Sequence, residues 1–220
     1  MGSGQSLPTG PVAAVIGDLV GSRRHLDQDA LFASIKQAIG QVNGELDALQ
    51  PLQMTVGDEF QAAYSTVEAA LDASLLVRLR LAGTCDARFG IGWGEITAYD
   101  PELAPMAQSG EAWWNAREAL EEVARSASRH GWPRGLRTWV VGPEAEVAAR
   151  LNGFLLCRDE LVSAMDERAR RVTLGLMLGQ RQQDIADELG ISQPSVANRQ
   201  RDSGAAAVVR SHELLREAAR

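Results

Sequence analysis

Apolar and polar positions change period several times along the chain. Val12-Ala13-Ala14-Val15-Ile16 is an uninterrupted apolar run, as a strand buried on both faces requires, and it ends on Gly17-Asp18. Leu31, Ile35, Ala38, Ile39, Val42 and Leu46 then recur at helical spacing behind Asp27, which predicts an N-capped helix. Leu52, Met54 and Val56 alternate with polar residues, as do Phe60, Ala62 and Tyr64. Gly57-Asp58 between them predicts a hairpin. Thr66 is placed to cap a second helix through Ala69, Ala70, Ala73, Leu76, Val77 and Leu81, with Gly83 as its stop. Residues 87–96 alternate glycines with large side chains. That pattern predicts a strand whose one face admits a helix, a backbone or a ligand. After a proline-containing loop over 97–109, a helix is expected from Ala112 to about His130. A strand over Leu136 to Val141 follows, broken by Gly142-Pro143.

The order β-α-β-β-α-β, then a helix and a strand, predicts an α+β fold of ferredoxin-like plan: an antiparallel sheet with helices on one face. In that plan the first strand neighbours the central hairpin, so Asp18 and Asp58 share one edge. The domain expected over residues 11–143 follows a Gly/Ser/Pro-rich, disordered segment over 1–10. Residues 144–220 read as all-α. Helices are expected over 145–164 and 167–179, and a last one from about Ala205 to Ala219. Between them, Ile185, Ala186, Leu189, Gly190, Ile191 and Val196 fit a helix-turn-helix, with Ser192 capping its second helix and Pro194 in the first turn.

Composition narrows the function classes. The chain has 220 residues and a net charge of −7, and it lacks an apolar run long enough to span a bilayer. No signal peptide is evident, and Cys85 and Cys157 fit no metal or redox spacing, so reduced thiols in the cytoplasm are expected. Residues 1–144 carry 11 Lys+Arg against 18 Asp+Glu, a net of −7; residues 145–220 carry 11 against 11. An acidic first part is a poor general surface for nucleic acid, so DNA contact rests on a few placed side chains of the second part. Those are Ser192, Gln193, Ser195, Asn198, Arg199 and Arg201. Arg199 occupies a position that is usually apolar in such a motif.

Val15-Ile16-Gly17-Asp18-Leu19-Val20-Gly21-Ser22-Arg23, Gly57-Asp58-Glu59-Phe60-Gln61 and Arg88-Phe89-Gly90-Ile91-Gly92 together resemble the SatD family of bacterial proteins. The same segments, within residues 11–125, resemble a divergent class III nucleotidyl cyclase palm. Gly57-Asp58-Glu59-Phe60 also resembles the diguanylate cyclase signature, with Val56 where the first glycine of that signature stands. The cyclase resemblance implies Asp18 and Asp58 as carboxylates for a divalent cation such as Mg2+. It implies that the backbone from Leu19 through Val20 and Gly21 to Ser22 approaches the phosphates, and that Arg117 faces the transferring group. Met54 replaces the purine-binding lysine, and Trp113 replaces the asparagine four residues before Arg117. These departures favour binding over turnover.

Arg23, Arg24 and Arg88 are further phosphate candidates, with Arg23 preferred, and alternation points Glu59 away from the site. The expected function is a DNA-binding transcriptional regulator, a homodimer, whose palm senses a purine nucleotide or cyclic dinucleotide. The alternatives are an active cyclase fused to a DNA-binding part, and a palm that serves only for dimerisation.

Overall fold

A computed structural model describes residues 10–22, 27–98 and 108–219. The disorder expected for residues 1–10 and the phosphate contact expected at Arg23 fall outside these residues, the former but for Gly10. The chain is α+β, a five-stranded sheet with eight helices among the described residues. β1 (Val12–Val20), α1 (Gln28–Glu45), β2 (Gln50–Met54), β3 (Glu59–Tyr64), α2 (Val67–Arg80) and β4 (Asp86–Gly94) come first. A small hairpin of β5 (Thr97–Ala98) and β6 (Gln108–Ser109) leads to α3 (Glu111–Ser126) and β7 (Thr138–Val141). Then follow α4 (Ala145–Ala164), α5 (Glu167–Met177), α6 (Gln182–Leu189), α7 (Gln193–Asp202) and α8 (Ala205–Ala218).

The strand order is β2-β3-β1-β4-β7. β1 runs antiparallel to β3 and β4, with Asp18 opposite Glu59 on one side and Arg88 on the other. Two expectations need correction here. β7 joins β4 in parallel, so the sheet is mixed. The helices also cover both faces rather than one. Ala13, Val15 and Leu19 point into a core with α1 and α2, whereas Val12, Ala14 and Ile16 pack on Ala112, Trp113, Ala116 and Leu120 of α3. A strand apolar at every position is what two covered faces require.

The glycines of β4 serve α3, not a ligand. A Cβ at Gly90 would lie 2.0 Å from the Ala116 carbonyl oxygen, and one at Gly92 would lie 2.0 Å from that of Ala112. Gly17 does the same for a ring: its two neighbours across the sheet are Phe60 and Phe89, which meet edge to face at 5.4 Å. A Cβ at Gly17 would stand 2.1 Å from Phe60 Cε2.

Sequence caps are realised. The Asp27 side chain accepts from Ala30 N–H and Thr66 from Ala69 N–H, each satisfying an orphan donor of a first turn. α2 carries almost no amphipathic contrast, since residues from Ala70 through Leu79 are all buried. One side of it meets the sheet and the other meets α5 and α8, so a single core runs from Leu31 to Leu155, Ala169 and Val208. The boundary expected at 143/144 falls at the break between β7 and α4, and this core crosses it.

Candidate functional site

The end of β1 lies between the starts of β3 and β4, and polar side chains of all three gather there beneath α3. Arg88 forks onto Asp18: Nε donates to Oδ1 at 2.8 Å and Nη2 to Oδ2 at 2.5 Å. Arg117, from α3, forks onto Glu59 with both bonds at 2.9 Å. The Glu59 carboxylate beside it holds the Arg117 pKa above its ordinary value, more than burial lowers it, and Asp18 adds to the effect. The Asp58 carboxylate sits in the hairpin turn, where Gly57 takes the left-handed conformation at φ +68°. Its Oδ2 accepts from Ser22 Oγ at 2.6 Å, and the Ser22 carbonyl accepts from Gln28 Nε2 at 2.9 Å.

The structure thus brings together Asp18, Ser22, Asp58 and Arg117. One feature of the group differs from the expectation. Glu59 does not point away; as the cross-strand partner of Asp18 it shares that face, and it anchors Arg117. β1 continues through Leu19 and Val20, opposite Ala87 and Asp86, and among the described residues the turn begins at Gly21, at φ +77°, and Ser22. The role of Arg88 as the partner of Asp18 is legible only after β1 and β4 are paired in register.

Three carboxylates face two guanidinium groups, which leaves the cluster one charge negative. Oxygen donors of this kind suit Mg2+. Each carboxylate already accepts from a protein donor, so a cation here requires an exchange of partners. Among the described residues, no three His, Cys, Asp or Glu side chains are grouped to hold a metal as they stand.

The second candidate surface is built from α5 to α7. Gly190 turns between α6 and α7 at φ +62°, ψ +37°, the left-handed conformation glycine adopts without strain. Val172, Ile185, Ala186 and Val196 close a small core. Ser192 caps α7, its Oγ accepting from Ser195 N–H at 3.3 Å and lying 2.8 Å from Ser195 Oγ. Gln193, Asn198 and Arg201 are exposed, and Arg201 donates to Asn198 at 2.6 Å. Arg199 instead reaches Asp166, the cap of α5, at 2.9 Å in an exposed ion pair. An arginine thus stands at an apolar position because it ties α7 to the start of α5.

Cys85 and Cys157 are both free, and no helix of the described residues is long and apolar enough to cross a membrane. The SatD family model matches residues 12–218, and the chain belongs to that family. Among solved structures, it is similar to the active GGEEF domain of a diguanylate cyclase from Vibrio cholerae. The identity is 15% over 52% of this chain and 77% of that one, at a TM-score of 0.40, a likeness too slight to carry a functional argument. No curated protein matches the sequence.

Proposed function

We propose that this SatD-family chain is a DNA-binding transcriptional regulator whose sheet-end cluster binds a purine nucleotide or cyclic dinucleotide. The observation that carries the DNA reading is α6-Gly190-α7. Its left-handed glycine, its own small core and the exposed Gln193, Asn198 and Arg201 support a helix-turn-helix with α7 as the reading helix. The strand order 2-3-1-4 and the order of elements support a ferredoxin-like palm before it.

The cluster suits a phosphorylated ligand because both guanidinium forks can exchange carboxylate for phosphate oxygens. Mg2+, where bound, would offset the carboxylates so released and bridge phosphate oxygens. Asp18, Asp58 and Glu59 would hold it, while Arg88 and Arg117 orient the phosphates. One recognition helix gives little affinity, so the chain acts as a homodimer on two half-sites. Exposed Trp114 and Val56, 66% and 81% accessible, are suited to the subunit contact.

The test is selection of bound fragments from a genomic DNA pool by the full chain. Asn198→Ala and Arg201→Ala are each expected to weaken binding to a selected fragment by about 1–3 kcal/mol. Equal binding by the double variant, or no enrichment at all, overturns the DNA reading. A thermal-shift screen of nucleotides and cyclic dinucleotides, with and without Mg2+, tests the ligand; no shift with any of them overturns the sensor.

An enzymatic reading has its own support, since Asp18, Asp58 and Arg117 do gather. Product formed from ATP or GTP with Mn2+, and abolished in Asp18→Ala, would replace sensing by turnover.

A further inference from the structure

The chain carries a net charge of −7, yet one cavity has no carboxylate among the described residues of its wall. It holds about 550 Å3 between the end of β1, β4 and the connection from α3 to β7. Arg88, Arg129, His130, Trp132, Arg134 and Arg137 line it, with small residues between. Two of the arginines are fixed from behind: Arg88 by Asp18, and Arg137 by Asp86 at 3.0 Å. The other two form no ion pair among the described residues, although the Glu122 carboxylate acts on Arg129 at longer range. Arg129 lies over the Trp132 ring, 4.8 Å from its centre. Among the described residues no ion pair engages Arg129 or Arg134, and no side-chain hydrogen bond or ion pair engages His130. Two arginines without an ion pair and a histidine therefore line one void. Like charges converging on one concavity focus a positive potential that an anion offsets.

We propose that this cavity binds a small phosphoanion, with Arg129 and Arg134 as its principal contacts. Guanidinium forks match phosphate oxygens in pairs, which a halide or a single carboxylate uses less fully. Two guanidinium groups without an ion-pair partner suit a phosphate dianion or a diphosphate. The volume lies within the range of about 300–1,000 Å3 typical of small-molecule sites, so the occupant is a metabolite or free polyphosphate. Arg88 forms a shared wall. One of its sides faces the cavity and its fork holds Asp18, so occupancy here bears on the strength of the Arg88–Asp18 pair. The site does not depend on the DNA reading, and it lies apart from Asp58 and Ser22.

Isothermal titration of the full chain, in a buffer free of phosphate and sulfate, tests the proposal with pyrophosphate, ATP and GTP as probes. Pyrophosphate is expected to bind, more weakly as salt rises. Arg134→Ser is expected to weaken it about tenfold, and the double variant Arg129→Ser/Arg134→Ser about a hundredfold. Both side chains are exposed and neither is in an ion pair among the described residues, so the unliganded melting temperature of the double variant is expected to fall only by the small loss of the Arg129–Trp132 stack. Nucleotides binding more tightly than pyrophosphate, with that gain lost in the double variant, would identify a nucleotide as the occupant. Equal affinities would identify the phosphoanion alone, and either result supports the site. Three results overturn it: no heat with any probe, an unchanged Kd in the double variant, or binding lost in Asp58→Asn but kept in the double variant.

Discussion

A methyl group at Gly90 would press on backbone atoms of α3 that cannot rotate away, whereas one at Gly40, on the open side of α1, would meet nothing within 4 Å. Gly90→Ala is therefore expected to cost about 1–3 kcal/mol or more by forcing α3 off the sheet. Gly40→Ala is expected to stabilise by about 0.5–1 kcal/mol, through a less costly helix interior. Urea denaturation of the two variants measures both signs. His212 offers a second test at this scale. It is buried on α8, its Nδ1 2.7 Å from Asp72 Oδ1 and its ring edge to face with Phe154 at 5.6 Å. Burial pushes its pKa below the ordinary 6.5, although the hydrogen bond to Asp72 opposes the shift. The folded state thus resists a proton that the unfolded state accepts. Stability is expected to be full above about pH 6.5 and to decline as pH falls below it. Thermal melts from pH 8 to pH 5 follow this, and His212→Gln should flatten the slope.

Between elements, buried charge acts as the fastener. Arg78 on α2 reaches Asp86 at the start of β4 at 2.9 Å, and Asp159 on α4 at 2.9 Å. Arg158 adds a bond to Asp159 at 2.7 Å, and the Arg137 N–H another at 2.7 Å. Asp159→Ala would leave two buried guanidinium groups short of their counter-charge. Its expected cost is about 3–5 kcal/mol, read by chemical denaturation. By contrast, the exposed Arg199–Asp166 pair is expected to contribute about 0–1 kcal/mol, lost at high salt.

The elements themselves were largely legible in the sequence. Asp27, Thr66 and Ser192 cap with side chains that accept from N–H groups three residues on, and Gly83 and Gly190 turn in their own backbone, so these signals are local. The expected helix over 145–164 has those bounds in the structure. What local patterns do not carry is partnership. Alternation within its strand points Glu59 away from the site, yet its direction follows from standing opposite Asp18. Arg88 gains its role only from the register of β1 against β4, and the face that α3 covers is decided by glycines seventy residues away from β1.

At the scale of the whole molecule, the sheet and the C-terminal helices share one core through α2, so they should unfold as one. All five tryptophans lie between Trp93 and Trp139. Their fluorescence therefore reports on the sheet and α3, whereas helical circular dichroism draws heavily on α4 to α8. The two probes are expected to give coincident transitions in urea. A helical signal lost before the fluorescence would mean two independent units. The continuity of the core was not visible in the sequence, because the Gly142-Pro143 break between β7 and α4 looks like a boundary whether or not helices fold back across it.

The burial of α2 on all sides has a consequence for how such chains can be recombined. A helix whose residues answer both to a sheet and to a layer of helices cannot be assigned to either half. A hybrid joined at Gly142-Pro143, with the sheet of one relative and the helices of another, would bring together surfaces never fitted to each other. Its crossover would have to carry the α8- and α5-facing side of α2 along with the transplanted helices. The natural seam for exchanging parts is therefore a surface running along one helix, not a point along the chain.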